Sequence, residues 1–398
     1  MNVKPIWKPF YLTFLIYAFF MAANPASAQV DFKKEIKFIV KKERLMLKSL
    51  KKVAASKKVS PRTFENSKLV MVVPHDWTSG FFPGILWYLY GATKKKKFFN
   101  EAVRYTNKLS EEQYDTKTHD LGFIINNSFG NGFTLTQNPA YKSIIINAAK
   151  SLCSRFNPNI GLIKSWDHNK NIWTYPVIID NMMNLELLFN ATKISGDSSY
   201  YRIAVSHANK TLKNHFRDNG SSYHVVDYNI SDGKVNKKMT AQGYSDESSW
   251  ARGEAWALYG FTSCFEATKD SAYLQRAITT ATYILNHPRL PQDLVPYWDF
   301  DDPTIPKTFK DASAAAITSS ALFRLAKLTG NVNYKVSADK IIFNLANHYK
   351  VDKNDTSGFI LRHSVGHKAI NSEVDVPIIY ADYYYVEALL RSNRFLAD

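Results

Sequence analysis

Apolar positions along the chain fall into two alternating kinds of helix. Segments such as Arg252 to Glu266 and Ala312 to Lys327 are apolar nearly all round and rich in small residues, the pattern of a helix covered on every side. Each is followed by a segment such as Ala272 to Asn286, in which a polar face stands opposite an apolar stripe. The first kind reads as inner and the second as outer. A short turn carrying Thr with Gly, Asn or Asp separates them, and an aromatic residue follows the turn. Five such joints recur: Ala92-Thr93-Lys94 before Phe98, Leu135-Thr136-Gln137-Asn138 before Tyr141, Thr192 to Asp197 before Tyr200, Ala267-Thr268-Lys269-Asp270 before Tyr273, and Leu328-Thr329-Gly330-Asn331 before Tyr334. With the amphipathic stretches Phe32 to Lys52 and Ile378 to Arg391, the count comes to roughly six inner and six outer helices. The pattern predicts an all-α chain of helical hairpins, closed into a toroid or stacked as an open superhelix; periodicity alone is the same for both. Loops entering the inner helices should converge on one end of either form.

No Pro/Gly/Ser-rich linker interrupts the 398 residues, so residues 29–398 read as one domain. Before it, Lys4 and Lys8, an apolar run from Phe10 to Ala23, and Ala26-Ser27-Ala28 have the three zones of a cleavable secretory signal over residues 1–28. That run is shorter than the ~20 residues of a spanning helix, which favours export, periplasmic or secreted, over membrane insertion. The two cysteines, Cys153 and Cys264, lie in apolar helical stretches and read as unpaired core thiols. Neither CxxC nor HExxH spacing occurs, and no Gly-rich phosphate loop follows a strand-like run, so no metal and no nucleotide cofactor is expected.

A net charge of +16 changes the picture of the partner: over a Debye length of about 8 Å the surface attracts anions. An aromatic content of 14% supplies flat rings against which sugars pack. Nucleic acid is the weaker partner, since export removes it and the basic residues are not expected to form one stripe. Lys94 to Lys97 read as a solvated helix end.

Candidate chemistry sits where loops meet inner helices. Asp120, after His119, precedes the apolar Leu121-Gly122-Phe123, and Asp180 follows Ile178-Ile179 at the start of another inner helix. A carboxylate at such a place ordinarily caps the helix by accepting backbone N–H groups. Apolar neighbours work against that role for Asp180, because desolvation favours the protonated form that a general acid needs. The segment Gln242 to Trp256 gathers Asp246, Glu247, Trp250, Arg252 and Trp256. Arg252 can grip a substrate carboxylate with two parallel bonds, or pair with Asp246 or Glu247 while one of these caps the helix. Trp256 is expected to pack and Trp250 to face the pocket.

The motifs His75-Asp76-Trp77-Thr78-Ser79-Gly80-Phe81-Phe82-Pro83-Gly84, His119-Asp120-Leu121-Gly122-Phe123, Asp180-Asn181-Met182-Met183-Asn184-Leu185, His224-Val225-Val226-Asp227-Tyr228 and Gln242 to Trp256 resemble, in order and spacing, those of the unsaturated glucuronyl hydrolases, glycoside hydrolase family 88. The resemblance implies an (α/α)6 barrel, a six-hairpin toroid. It further implies Asp180 as general acid and base, with Asp120 assisting. His119, Trp77, Trp166, His224, Gln242, Trp250 and Arg252 match the family's substrate-contacting positions, and Lys368, in Arg362 to Lys368, matches a loop that can meet a sulfate on the second sugar. The implied substrate is an unsaturated acidic di- or oligosaccharide, attacked at the C4=C5 enol ether of its terminal uronate without a cofactor. Two other readings remain at this point: a related hydrolase of pectin-derived rhamnogalacturonan fragments, and an exported glycan-binding protein without turnover.

Overall fold

The computed structural model describes residues 29–53 and 57–395; the expected leader, residues 1–28, lies outside the described residues. Among the described residues twelve α-helices run in chain order: α1 (Phe32–Leu50), α2 (Phe81–Thr93), α3 (Lys96–Asn107), α4 (Asn131–Thr136), α5 (Pro139–Cys153), α6 (Asn181–Ser195), α7 (Ser198–Asn214), α8 (Ala251–Thr268), α9 (Ser271–Asn286), α10 (Ala312–Thr329), α11 (Val332–His348) and α12 (Ile379–Phe395). A π-helical stretch, Gly122–Gly130, runs directly into α4 and the two act as one inner element.

Each expected joint is a helix stop followed by a helix start. Lys94, Gln137, Gly196, Lys269 and Gly330 all take left-handed backbone at the end of an inner helix. Only two are glycine, the residue that adopts this conformation without steric cost. Asn138, Asp197, Asp270 and Asn331 then cap the next helix with a side-chain oxygen. The inner helices close a ring: α2 packs on the π-helical stretch, that on α6, α6 on α8, α8 on α10, α10 on α12, and α12 back on α2. The toroid is therefore closed, and the open superhelix is excluded.

Rings of the inner helices meet around the axis, between neighbours and across it. Phe123 stands 5.5 Å from Phe81 and 5.2 Å from Trp256, and Trp256 stands 5.4 Å from Tyr384. Burial of such large apolar faces is the main stabilising term of the barrel. Cys153 in α5 and Cys264 in α8 are both free thiols. No helix among the described residues is long and apolar enough to cross a membrane.

Among the described residues four small antiparallel sheets lie in the loops that enter inner helices: β1 (Ser60–Glu65) with β2 (Lys68–Val72), β3 (Phe156–Asn157) with β4 (Leu162–Ile163), β5 (Pro176–Ile178) with β6 (Val225–Tyr228) and β7 (Val235–Met239), and β8 (Ser364–His367) with β9 (Ser372–Val376). One expectation about charge is corrected: α1 gathers basic residues into a single exposed stripe, Lys34, Lys37, Lys41, Arg44 and Lys48.

Candidate active site

Asp180 stands two residues beyond β5, at the N-terminal cap position of α6. Pairing of β5 with β6 sets Ile178 opposite Val225, and the Ile179 N–H donates to the His224 carbonyl at 3.0 Å. That register places His224 Nε2 3.6 Å from Asp180 Oδ2. Asp120 enters one inner element earlier, at the head of the π-helical stretch. Its Oδ1 accepts from Asn184 Nδ2 at 3.4 Å, one turn beyond Asp180 on α6. Adjacent inner helices thus bring the two carboxyl groups to one end of the barrel.

Neither carboxylate caps its helix, which overturns the ordinary expectation for an Asp at such a place. Asp180 occupies the N-terminal cap position of α6 and makes no capping hydrogen bond, whereas Asp31, Asp197, Asp270 and Asp311 all cap theirs. Its Oδ2 is buried with no hydrogen-bond partner. Burial raises the Asp180 pKa to about 7; the Arg252 charge opposes this and the Asp120 charge adds to it. The Trp256 indole N–H lies beside the carboxyl and favours its charged form without closing a hydrogen bond. Asp120, with a side chain 17% exposed, is also pushed up to about 7, by burial first, with the bond from Asn184 opposing and the Asp76 charge adding. Two buried carboxyl groups with pKa values raised to about 7 suit acid–base work, and structural capping calls for neither.

Both histidines are neutral. Burial, with a contribution from the Arg155 charge, lowers the His119 pKa to about 3; its Nε2 stands 3.4 Å from Asp120 Oδ1. Burial and then the Arg252 and His367 charges drive His224 far below its ordinary value. His224 Nδ1 accepts the backbone N–H groups of Ala241 and Gln242, both at 3.1 Å, so the ring proton resides on Nε2. A neutral N–H therefore lies 3.6 Å from Asp180 Oδ2 without closing a hydrogen bond.

Arg252 is held differently from either expected way. Its Nη1 donates to Asp311 Oδ2 at 3.2 Å and to the Val365 carbonyl, and its Nη2 to Gln242 Oε1 at 2.7 Å and the Gly366 carbonyl at 2.6 Å. Both Nη groups are thus engaged inside the protein, and no two-pronged grip remains for a substrate carboxylate. Nor does it pair with Asp246, which accepts from the Thr240 N–H, or with Glu247, which lies 3.5 Å from Arg217. The cap position of α8 is Trp250, not an acid. By donating to Gln242 Oε1, Arg252 fixes the amide orientation and turns Nε2 away as a donor.

Trp250 is less open than expected, at 3% exposure, with the Arg252 guanidinium 4.5 Å from its ring and His224 4.6 Å away. Trp166 stands edge-on to His224 at 5.9 Å and is half-buried. Trp77 is half-buried on the Asp120 side, 5.4 Å from Phe123. Lys368 stands further out, its Nζ 5.6 Å from the Phe309 ring. Among the described residues no cluster of His, Cys, Asp and Glu is placed to hold a metal ion.

Three residues were missed in the sequence. Asn184 had a signal, four residues after Asp180 on one helix face. Trp256 packs as expected and also brings its indole to the Asp180 carboxyl. Tyr380 starts the last inner helix as Asp180 starts the third; its ring lies 5.0 Å from Trp77, and its buried hydroxyl has no partner.

Comparison with known proteins bears on the family and the fold. Residues 50–395 match the model of Glycosyl Hydrolase Family 88. The chain is 47% identical over 325 residues to an unsaturated glucuronyl hydrolase of Formosa agariphila, covering 81% of each chain. It is 33% identical to an unsaturated chondroitin disaccharide hydrolase of Streptococcus pneumoniae, over 83% of this chain and 85% of the other. Among solved structures, an unsaturated glucuronyl hydrolase specific for heparin is 40% identical and superposes with a TM-score of 0.87, over 92% of this chain and 98% of that one. Matched over nearly the whole described barrel, the chain belongs to glycosyl hydrolase family 88.

Proposed function

We propose that this protein releases 4,5-unsaturated glucuronic acid from the non-reducing end of glycosaminoglycan-derived oligosaccharides by hydrating the C4=C5 double bond. The observation that carries the reading is the pair of uncapped, desolvated carboxyl groups, one of them faced by a neutral imidazole N–H. The C4=C5 bond is an enol ether, so its C4 is the basic carbon. Asp180 donates its proton to C4, and positive charge develops at C5 and the ring oxygen. Water adds at C5 and returns a proton to the Asp180 carboxylate. The hemiketal opens to a C5 ketone, and the hemiacetal left at C1 expels the partner sugar; one water is consumed. Asp120, when ionised, stabilises the cationic transition state, and the His224 N–H steadies Asp180 through both proton transfers. The Gln242 Nε2 donor and the faces of Trp166 and Trp77 are suited to hold the uronate ring in place.

The direct assay is loss of the ultraviolet absorbance of the conjugated double bond on unsaturated chondroitin, hyaluronan, heparin and pectin disaccharides. Turnover on glycosaminoglycan disaccharides is expected; absence of loss on all four, with the protein folded, would overturn the reading. A pectin fragment consumed in preference would support the rhamnogalacturonan alternative.

The rate should follow a bell in pH centred near 7. One proton shared between the pair is the active form: below the bell Asp120 loses its charge, and above it Asp180 loses its proton. The two limbs belong to the pair, and Asp120→Asn should flatten the acid limb of the residual activity. An unchanged profile in that variant would remove Asp120 from the titration.

Two finer features belong to the same proposal. Lys368 supplies a cation beside the second sugar, so Lys368→Ala should lower the ratio of activity on sulfated to unsulfated disaccharides several-fold, and an unchanged ratio would sink the assignment. Export through a leader cleaved before Gln29 rests on the sequence. It is tested by determining the N-terminus of the protein recovered outside the cytoplasm, where retention of Met1 would refute it.

A further inference from the structure

The basic stripe on α1 belongs to a larger feature. Lys34, Lys37, Lys41, Arg44 and Lys48 follow one another at intervals of three, four, three and four residues, which places one exposed cation on each turn of a single helix face. At 1.5 Å per residue the stripe is about 21 Å long. It forms one wall of a groove of about 1190 Å³, to which Lys95, Lys350, Lys353 and Arg362 contribute from other elements. Ten basic side chains line this groove against two carboxylates. Those two are already matched: Glu35 is buried and bonded to Lys350 at 2.7 Å, and Asp352 lies 3.7 Å from Arg362. Among the described residues no ion pair is seen for Lys34, Lys37, Arg44 or Lys48. Like charges at such spacing repel, so the stripe is a destabilising arrangement unless an anion answers it.

We infer that this groove is a second carbohydrate-binding surface, separate from the catalytic end, that takes an extended sulfated or carboxylated glycan chain. A linear polyanion with regularly spaced charges is the partner that one cation per helical turn fits. Its attraction comes from neutralised charge and released counterions. Stacking rings, which a single-stranded nucleic acid needs, are scarce: Phe38 is the one aromatic residue of the lining, and it is covered by the ammonium groups of Lys42 and Lys350 at 5.5 and 4.6 Å. The chain from Asp352 to Arg362 that borders the groove continues into β8, whose Val365 and Gly366 carbonyls hold Arg252. The segment that borders the groove thus runs on, within a few residues, to the strand that holds Arg252. A glycan retained in the groove keeps the enzyme among the chains whose fragments it consumes. The choice of a glycan rests on the proposed function; the basic groove itself does not.

The test uses a heparin chain with a saturated non-reducing end, which offers no double bond to the catalytic site. Its affinity is measured at three salt concentrations for the wild type and for Lys37→Ala/Arg44→Ala/Lys48→Ala, with hydrolysis of an unsaturated disaccharide followed in parallel. The variant is expected to bind at least tenfold more weakly at low salt. Its slope of log affinity against log salt should be shallower by about 2, by analogy with counterion release from nucleic acids. Disaccharide turnover should stay within twofold of wild type, which also reports that the variant is folded. Equal affinity and slope for the two proteins would overturn the inference. Tighter binding of a DNA duplex than of the heparin chain at the same salt, lost in the same variant, would overturn the glycan assignment. If the wild type turns over no unsaturated disaccharide, the proposed function fails, and the binding measurement still decides the groove.

Discussion

Asp180→Asn is expected to lower turnover of an unsaturated disaccharide by at least about a thousandfold, the scale of a lost general acid that also serves as base. The asparagine keeps the size and shape of the side chain but can neither give a proton to C4 nor recover one from water. A second effect of the same substitution runs the opposite way. Burial raises the folded-state pKa of Asp180 to about 7, above its ordinary value of 3.8. A raised carboxyl pKa means that the folded state binds the proton more tightly than the unfolded state. That contribution is fully present below about pH 4, and it is lost as pH rises through 7 and the buried group must carry charge. Asn removes this penalty, so the variant should be more stable than wild type above pH 7, by up to roughly 4 kcal/mol for a shift of this size, and should gain nothing below pH 4. Activity from single-turnover absorbance and stability from urea unfolding at pH 4 and pH 8 measure the two effects separately. A capping Asp would give neither, since its loss weakens the helix at every pH where it is ionised. Full activity in Asp180→Asn would end its assignment as the acid. Activity lost with no stability gain at pH 8 would mean that the carboxyl is not desolvated.

Where the sequence was legible, local chemistry decided the structure. The joints could be read because a left-handed stop and a side-chain cap are written in adjacent residues, and the inner and outer helices because burial on all sides or on one side leaves different patterns. Asp120 and Asp180 stood out because apolar residues flanked a carboxylate at a helix start. What escaped was set by distant partners. Arg252 finds its counter-charge in Asp311, 59 positions away, rather than in the nearby acids that spacing suggested. The β5–β6–β7 sheet, which fixes His224 against Asp180, is made of strands of three to five residues, too short to show an alternating pattern. The stripe on α1 was legible at intervals of three and four, but a search for apolar periodicity passes over a charged face.

Arg252→Ala is expected to cost about 3–5 kcal/mol of stability and most of the activity. The guanidinium is 2% exposed and its partner Asp311 is fully buried. Removing it leaves a carboxylate in the interior without its counter-charge, and that unpaired charge dominates the penalty. The loss spreads to both sides of the site. Asp311 also caps α10 through the Ser313 N–H at 2.9 Å, the Val365 and Gly366 carbonyls lose their donor, and Gln242 is released to turn. Lysine is no substitute, because an ammonium on a flexible stem cannot reproduce the fork that serves four acceptors. The urea midpoint should therefore fall for Arg252→Ala and for Arg252→Lys. Adding Asp311→Asn to Arg252→Ala should recover part of the stability, since the amide carries no charge to strand. Recovery of stability without recovery of turnover would separate the two roles of Arg252, neutralising Asp311 and orienting Gln242. A wild-type urea midpoint in Arg252→Ala would show that Asp311 does not depend on this guanidinium, and the positioning role would fall with it.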